Sequence, residues 1–279
     1  MTEKLQFGTL FSSSKGNCSL FRLGETVILI DAGRSAKYIA DALLSCGITP
    51  DQVSAVFVTH PHIDHIGALK VWTKKYGTPV HAAGETADDL EDICAPGTVV
   101  RHPILFNADV GCVRVTSFAT SHDTRCSVGY RITVNDGVDK ELSFGVCTDL
   151  GIITGSVERG LGGCLGIILE SNHDVDMLKS GPYLPEQKQR ILSDRGHLSN
   201  DTAANFAAKL AKNGTRAFLP AHLSPMNNTP ETVRKCFENV MNAEGVSPEI
   251  RIASCDSPVM FDITDLNMVN EYFHTAVTE

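Results

Sequence analysis

The stretch Thr59-His60-Pro61-His62-Ile63-Asp64-His65 constrains this chain more than any other. Three histidines and an aspartate fall within six positions, directly after the apolar run Ala55-Val56-Phe57-Val58, which reads as a short buried strand. Imidazole nitrogen and carboxylate oxygen are ligands of zinc and related divalent ions. The pattern therefore points to a metal site at a strand end, against the plainer alternative of histidines solvated in a loop.

At 279 residues the chain has room for one large domain or two small ones. Its 42% hydrophobic and 20% charged residues are ordinary for a soluble globular protein. The formal net charge of -9 handicaps sequence-independent nucleic-acid binding, although that count leaves out bound cations. Nine cysteines are scattered without C-x-x-C spacing, which argues for reduced thiols rather than a disulfide framework. The amino terminus has no apolar signal region, and no apolar run has the length of a membrane span. The expectation is a cytoplasmic protein without a membrane partner.

Along the chain, strands are predicted at 7–11, 19–23, 27–30, 55–59 and 79–82. Helices fall between them at 36–44, 66–76 and 84–93. This alternation predicts a layered α/β architecture. Further strands are predicted at 113–118, 128–134, 142–146, 165–169, 216–219 and 249–253, with Asn135-Asp136-Gly137 as a hairpin turn. Helices are predicted at 199–212, capped by Ser199 or Asn200, and after Thr229-Pro230 as far as Gly245. The tail from Asp262 onward is amphipathic and hard to place. Between the first two strands, Ser12-Ser13-Ser14-Lys15-Gly16-Asn17-Cys18 reads as a small-residue loop, either an anion cradle or a simple turn.

His122, Asp149, His173 and His222 each stand just beyond the carboxyl end of a predicted strand. Such ends line one edge of an α/β sheet, where sites collect. Two metals about 3.5–4 Å apart that share a carboxylate and a hydroxide would need this donor set.

His60-x-His62-x-Asp64-His65, with the downstream His122, Asp149 and His222, resembles the metallo-β-lactamase superfamily over nearly the whole chain. The resemblance implies an αββα four-layer sandwich, and with no low-complexity linker or short-period repeat the chain reads as a single domain over residues 1–279. It implies one metal on His60, His62 and His122, a second on Asp64, His65 and His222, and Asp149 as the bridge. Asp31 matches the early aspartate that orients the His-rich loop. The implied cofactors are two divalent ions, zinc or manganese, with iron possible. Asp149 and the Asp64-His65 pair look unlike the cysteine-bearing secreted lactamases. We find neither the helical carboxyl-terminal domain of the glyoxalase II class nor room for the β-CASP insertion of ribonuclease J-type enzymes.

The single-domain YycJ/WalJ-like exonucleases are most similar. They share the Ser12 to Cys18 segment, Ser121-His122-Asp123, Glu170 to Asp174, Gly196 to Asn200 and Ala221 to Asn228. Gly196-His197-Leu198-Ser199 also resembles the end of ribonuclease Z, which implies His197 as general acid, oriented by Glu170 or helped by His173. The plainer alternative is that His197 only caps a helix. The expected function is a metal-dependent phosphodiesterase, a 5′-to-3′ DNA exonuclease using a hydroxide activated by two metals. Catalytic roles fall on Asp64, Asp149, His197, Glu170 and His173. Substrate-binding roles fall on Ser12, Ser13, Lys15, Gly16 and Asn17. A basic patch of Lys15, Arg34, Lys37 and Arg125 would meet the polyanion, with DNA favoured over RNA. The alternatives are a hydrolase of a small phosphodiester, lactone or thioester at the same site, and a non-catalytic metal-binding module.

Overall fold

The computed structural model describes residues 5–134 and 142–262; the Asn135-Asp136-Gly137 turn and the tail beyond Asp262 lie outside the described residues. The chain opens on a hairpin of β1 (Leu5–Ser13) and β2 (Gly16–Leu23). Ser13 pairs with Gly16 in the ladder, so the expected loop over 12–18 shrinks to the two-residue tip Ser14-Lys15. The Ser12 and Asn17 side chains bond each other across the strands, which lets polar residues extend the pairing. Next come β3 (Thr26–Ile30), α1 (Ala36–Ser45), β4 (Val53–Val58), α2 (Ile63–Ile66), α3 (Leu69–Tyr76), β5 (Val80–Ala83), α4 (Gly84–Glu91) and β6 (Val99–His102).

Two helices differ from expectation. The Ser35 hydroxyl caps α1 by accepting the Tyr38 N–H, and the buried face is Ala36, Ile39, Ala42 and Leu43. Leu44, expected on that face, points outward at 54% exposure. The helix expected over 66–76 is broken at Gly67-Ala68, where the Ala68 N–H donates to the Ala32 carbonyl instead of continuing the turn. Gly77, at φ 65°, ends α3 in the left-handed conformation glycine favours.

The second half holds β7 (Asn107–Val110), β8 (Val113–Ala119), β9 (Val128–Val134), β10 (Ser143–Cys147), α5 (Gly155–Leu161), β11 (Gly166–Glu170), α6 (Val175–Ser180) and α7 (Pro185–Ile191). It closes with α8 (Asn200–Lys212), β12 (Ala217–Ala221), α9 (Pro230–Glu244), β13 (Glu249–Ile250) and β14 (Val259–Asp262). Ser199 caps α8, and Thr229 caps α9 with Pro230 in its first turn. The last predicted core strand is a half-buried edge. Only β13 is regular, although the Arg251 and Ala253 N–H groups still donate to Phe218 and Pro220.

The described strands form two seven-stranded sheets, in the orders β14-β1-β2-β3-β4-β5-β6 and β13-β12-β11-β10-β9-β8-β7. Phe7, Phe21, Phe57, Tyr130, Phe144 and Leu219 belong to the core cluster to which both sheets contribute. A second cluster joins the outer face of the first sheet to α1, α3 and α4 through Ile39, Leu43, Trp72 and Leu90. A third joins the second sheet to α5, α8 and α9 through Leu161, Ala207 and Phe237. Burying a Leu or Phe side chain stabilises by roughly 1.5–3 kcal/mol, so these three cores supply the drive for the αββα stacking. None of the described helices is long and apolar enough to cross a membrane.

Strands β3 and β4 run parallel in the first sheet, and β10, β11 and β12 run parallel in the second. Asp31, Thr59, Asp149 and Ser171 each stand at or just past the end of such a strand, as does His222. Three of these residues, Asp31, Asp149 and His222, have left-handed backbones with φ of 65°, 59° and 57°. Non-glycine residues rarely adopt that region, and the excess strain at such positions gathers at functional sites.

Candidate metal centre

The His-rich motif folds as an extended entry and one helical turn. β4 ends at Val58, His62 precedes α2, and α2 carries Asp64 and His65 inward. The loop is fastened to β3 and the segment after it. The Ala32 N–H donates to the His65 carbonyl at 2.7 Å, and the Gly33 N–H donates to the Asn17 carbonyl at 2.9 Å. A Cβ on Gly33 would stand 1.6 Å from the Asp64 carbonyl oxygen, so only glycine lets this loop pack so closely.

All seven residues expected as ligands converge. His60, His62 and His122 bring nitrogen atoms within 4.8 Å of one another, and so do the ligand atoms of Asp64, His65 and His222. His60 Nε2 lies 3.1 Å from His62 Nδ1. His65 Nε2 is 3.5 Å from Asp64 Oδ2, and His222 Nε2 is 3.6 Å from the same oxygen. Asp149 stands between the two groups. Its Oδ1 is 3.8 Å from His122 Nε2 and 3.5 Å from His222 Nε2, while its Oδ2 is 3.3 Å from His65 Nε2.

These residues fit divalent cations on two independent grounds. His122 Nε2, His222 Nε2 and Asp149 Oδ2 are buried without a hydrogen-bond partner, an arrangement that is costly unless something else satisfies them. Burial pushes the Asp149 carboxyl up, but the positive charge available on His222 and His65 more than offsets this and holds it well below the usual range. His65 moves the other way: burial lowers it, while Asp31 and Asp149 raise it well above an ordinary imidazole. The pocket thus favours ionised carboxylates and demands positive charge among them, which a divalent cation supplies.

Residues around the ligands set their orientation. Asp31 Oδ1 accepts the Thr59 N–H at 2.8 Å, and Asp31 Oδ2 lies 2.7 Å from His65 Nδ1, a bond that leaves Nε2 as the ligand atom. Glu170 is fully buried. Its Oε1 is 2.9 Å from both His222 Nδ1 and His197 Nδ1, and its Oε2 accepts the Leu198 N–H at 2.8 Å. Burial works against its charge, but the His197 and His222 contacts bring its carboxyl down to about 2.

His197 is held by Glu170 at Nδ1, and its side chain is 18% exposed. Burial lowers its pKa, and the Glu170 charge more than reverses this. It lines a cavity of about 190 Å³ with Tyr183, Gln187, Arg190 and Ser224. His173 is not joined to this pair: both its ring nitrogens are buried without a partner, and burial lowers its pKa to about 4.

The residues expected to bind substrate divide. Ser12 and Asn17 are buried: Ser12 Oγ accepts the His222 N–H at 2.9 Å and donates to Asn17 Oδ1, and Asn17 Nδ2 lies 3.1 Å from His65 Nε2. Ser13 is also buried and accepts the Lys15 N–H, while Gly16 packs under Arg34. Lys15 and Arg34 line one cavity, and Arg125 lines another beside His122. Lys37 lines none of these cavities.

Sequence reasoning passed over Thr59, Asn172 and the pair Asp123–Arg190. Asn172 Nδ2 donates to the His222 carbonyl at 2.9 Å, and Asp123 bonds Arg190 at 2.6 Å, with its Oδ1 3.3 Å from His122 Nε2. Each of Thr59, Asn172 and Asp123 adjoins a histidine already singled out, which was the available signal.

Comparison with known proteins agrees with this architecture. The chain is 33% identical over 244 residues to an exodeoxyribonuclease YycJ of Bacillus anthracis, covering 86% of this chain and 90% of that protein. It is 32% identical over 239 residues to the exodeoxyribonuclease WalJ of Streptococcus pneumoniae, covering 84% and 87%. Among solved structures it is similar to the metallo-beta-lactamase fold protein YhfI from Bacillus subtilis, with a TM-score of 0.68 at 17% identity over 93% of this chain and all of that one. The family model for the Metallo-beta-lactamase superfamily matches residues 14–222, and the chain belongs to this superfamily of hydrolases.

Proposed function

We propose that the protein is a cytoplasmic, single-domain phosphodiesterase that degrades DNA from an end, in the 5′-to-3′ direction, with two divalent ions at the centre described above. One ion would sit on His60, His62 and His122, the other on Asp64, His65 and His222, with Asp149 between them. Zinc and manganese both suit nitrogen and oxygen donors, and iron is compatible with them. Bound there, the ions supply Lewis acidity and a water of lowered pKa.

The chain's own residues then have separable tasks. Asp31 holds His65, Glu170 holds His222, and Ser12 ties the His222 backbone to the first hairpin. His197 is the general acid: Glu170 favours its protonated form and fixes Nδ1, leaving Nε2 to give a proton to the departing alkoxide. A phosphodiester requires such help because an unassisted alkoxide is a poor leaving group. The single observation that carries this reading is the His197–Glu170 pair beside the ligand cluster, with His197 lining a cavity of about 190 Å³. A thioester, whose thiolate leaves readily, has less use for a proton donor held in this way. The two relatives named exodeoxyribonucleases support DNA as the substrate.

The test is metal analysis followed by an assay on end-labelled single-stranded and duplex DNA and RNA, with Asp149→Asn alongside. Mononucleotides released from a 5′ end, with turnover abolished in Asp149→Asn, are expected. A metal-loaded wild-type protein that cleaves only small esters, with no salt dependence, refutes the reading.

A further inference from the structure

On its Asp64 side the centre adjoins a second cavity, of about 540 Å³, lined by Lys15, Arg34, Tyr38, Ile63 and Asp64 among others. It meets the His197 cavity at Ser14, on the tip of the first hairpin. Arg34 is firmly placed there. Its guanidinium carbon lies 4.3 Å from the centroid of the Tyr38 ring and 5.5 Å from that of Phe11. Its Nη2 donates to Asp256 Oδ1 at 3.2 Å, and the Tyr38 hydroxyl donates to the Asp256 carbonyl at 2.8 Å. The stem of Arg34 crosses Gly16, where a Cβ would come within 2.4 Å of Arg34 Cγ.

Among the described residues, Nε and Nη1 of Arg34 have no hydrogen-bond partner, and Lys15 has no carboxylate within ion-pair distance. Two cations with unused donors at the rim of a carboxylate-rich centre, in a chain of net charge -9, mark a place for an anion. A guanidinium already stacked and braced loses little freedom when it binds one.

We propose that this cavity is a nucleic-acid subsite, in which Arg34, with Lys15 beside it, takes the phosphate next to the scissile one while the Ile63 wall receives sugar and base. This rests on the nuclease reading above. Asp256, 70% exposed, occupies one edge of Arg34 in the free protein and opposes the incoming phosphate. Gly16 acts by leaving room for the Arg34 stem.

The test compares kinetics on single-stranded DNA, 5′-phosphorylated or 5′-hydroxylated, with kinetics on bis(4-nitrophenyl) phosphate, a diester without a neighbouring phosphate. Arg34→Ala is expected to raise KM for DNA by about 10- to 100-fold, the effect of removing charged hydrogen bonds, with far less loss on the small diester. Arg34→Lys, which keeps the charge without the planar fork, should fall between. Asp256→Asn should lower KM for DNA. The salt slope of DNA binding should drop by about 0.7 for each phosphate that the variant no longer neutralises. A larger effect on 5′-phosphorylated DNA supports a terminal phosphate as the occupant, and an equal effect supports an internal one. Wild-type KM for DNA in both Arg34→Ala and Lys15→Ala overturns the subsite. Equal losses on both substrates also overturn it, by showing a structural role. A wild-type protein active on the small diester and inert on DNA overturns the nuclease reading itself, and the subsite with it.

Discussion

Replacing Gly33 by alanine tests how the metal loop is held. The added Cβ would lie 1.6 Å from the Asp64 carbonyl oxygen, 2.4 Å from its carbon and 2.6 Å from the Asn17 nitrogen. All three are backbone atoms, so no change of rotamer relieves the clash. The loop must retreat by about 1 Å or more before the contact becomes tolerable. That movement pulls on three short bonds: Gly33 to Asn17 at 2.9 Å, Ala32 to His65 at 2.7 Å, and Ala68 to Ala32 at 2.8 Å. Each contributes about 0.5–1.5 kcal/mol net, and groups left buried without partners cost more, so a destabilisation of roughly 3–5 kcal/mol is expected. The displacement falls on Asp64 and His65 but not directly on His60 or His122. With two ions bound as proposed, the metal content of the folded variant should drop toward one. Urea unfolding read by near-ultraviolet circular dichroism gives the stability, and elemental analysis of the dialysed protein gives the metal. A Gly33→Ala protein with wild-type midpoint and metal content would falsify this picture of the packing.

Other perturbations address the remaining parts. His197→Gln should retain its metal and lose about 10²- to 10⁴-fold in kcat on DNA, with a smaller loss on a 4-nitrophenyl ester whose leaving group needs no proton; equal losses on both argue against a general acid. Asp31→Ala leaves His65 Nδ1 and the Thr59 N–H without their acceptor, and metal affinity should weaken about 10- to 100-fold in competition with a chelator. His81 bears on acid stability. Burial and then the charge of His102 depress its pKa to about 4, so between pH 6.5 and 4 the unfolded chain binds more protons there and stability falls as pH falls. The slope from this one group is at most about 1.4 kcal/mol per pH unit, less because the ring is partly exposed, and His81→Phe should flatten the acid limb of a melting-temperature profile. An unchanged limb would show that His81 has no part in acid stability.

The motif at 60–65 was legible because four ligand candidates lie together in sequence after an unmistakable strand. His122, Asp149 and His222 were legible for a different reason: each follows a predicted strand, and sheet topology turns that linear habit into a shared edge. What escaped was non-local or weakly patterned. β6, β7 and β14 are four-residue strands at or near the sheet margins, half exposed, and so without the apolar alternation that announces a buried strand. α5, α6 and α7 are seven residues or fewer, too short to establish a helical period. Ser12 looked available to a ligand, yet its hydroxyl serves a backbone 210 positions away, which no local reading reaches. Arg34 was named for its charge alone. Its brace on Asp256 depends on a turn more than 200 residues downstream.

The left-handed backbones of Asp31, Asp149 and His222 have a consequence for the economy of metals in the cell. Each such residue stands at or just past the end of a sheet strand and is held in its conformation at about 1–3 kcal/mol of strain. Two of the three, Asp149 and His222, carry proposed donors, so the sheet itself helps set where those donors stand, unlike a small domain that folds only around its zinc. Such a site would let ions exchange without unfolding the protein, so that different ions would compete for the same donors. Which element occupies it would then record the metal supply around the protein, and a shift in that supply would alter the enzyme without any change in its synthesis.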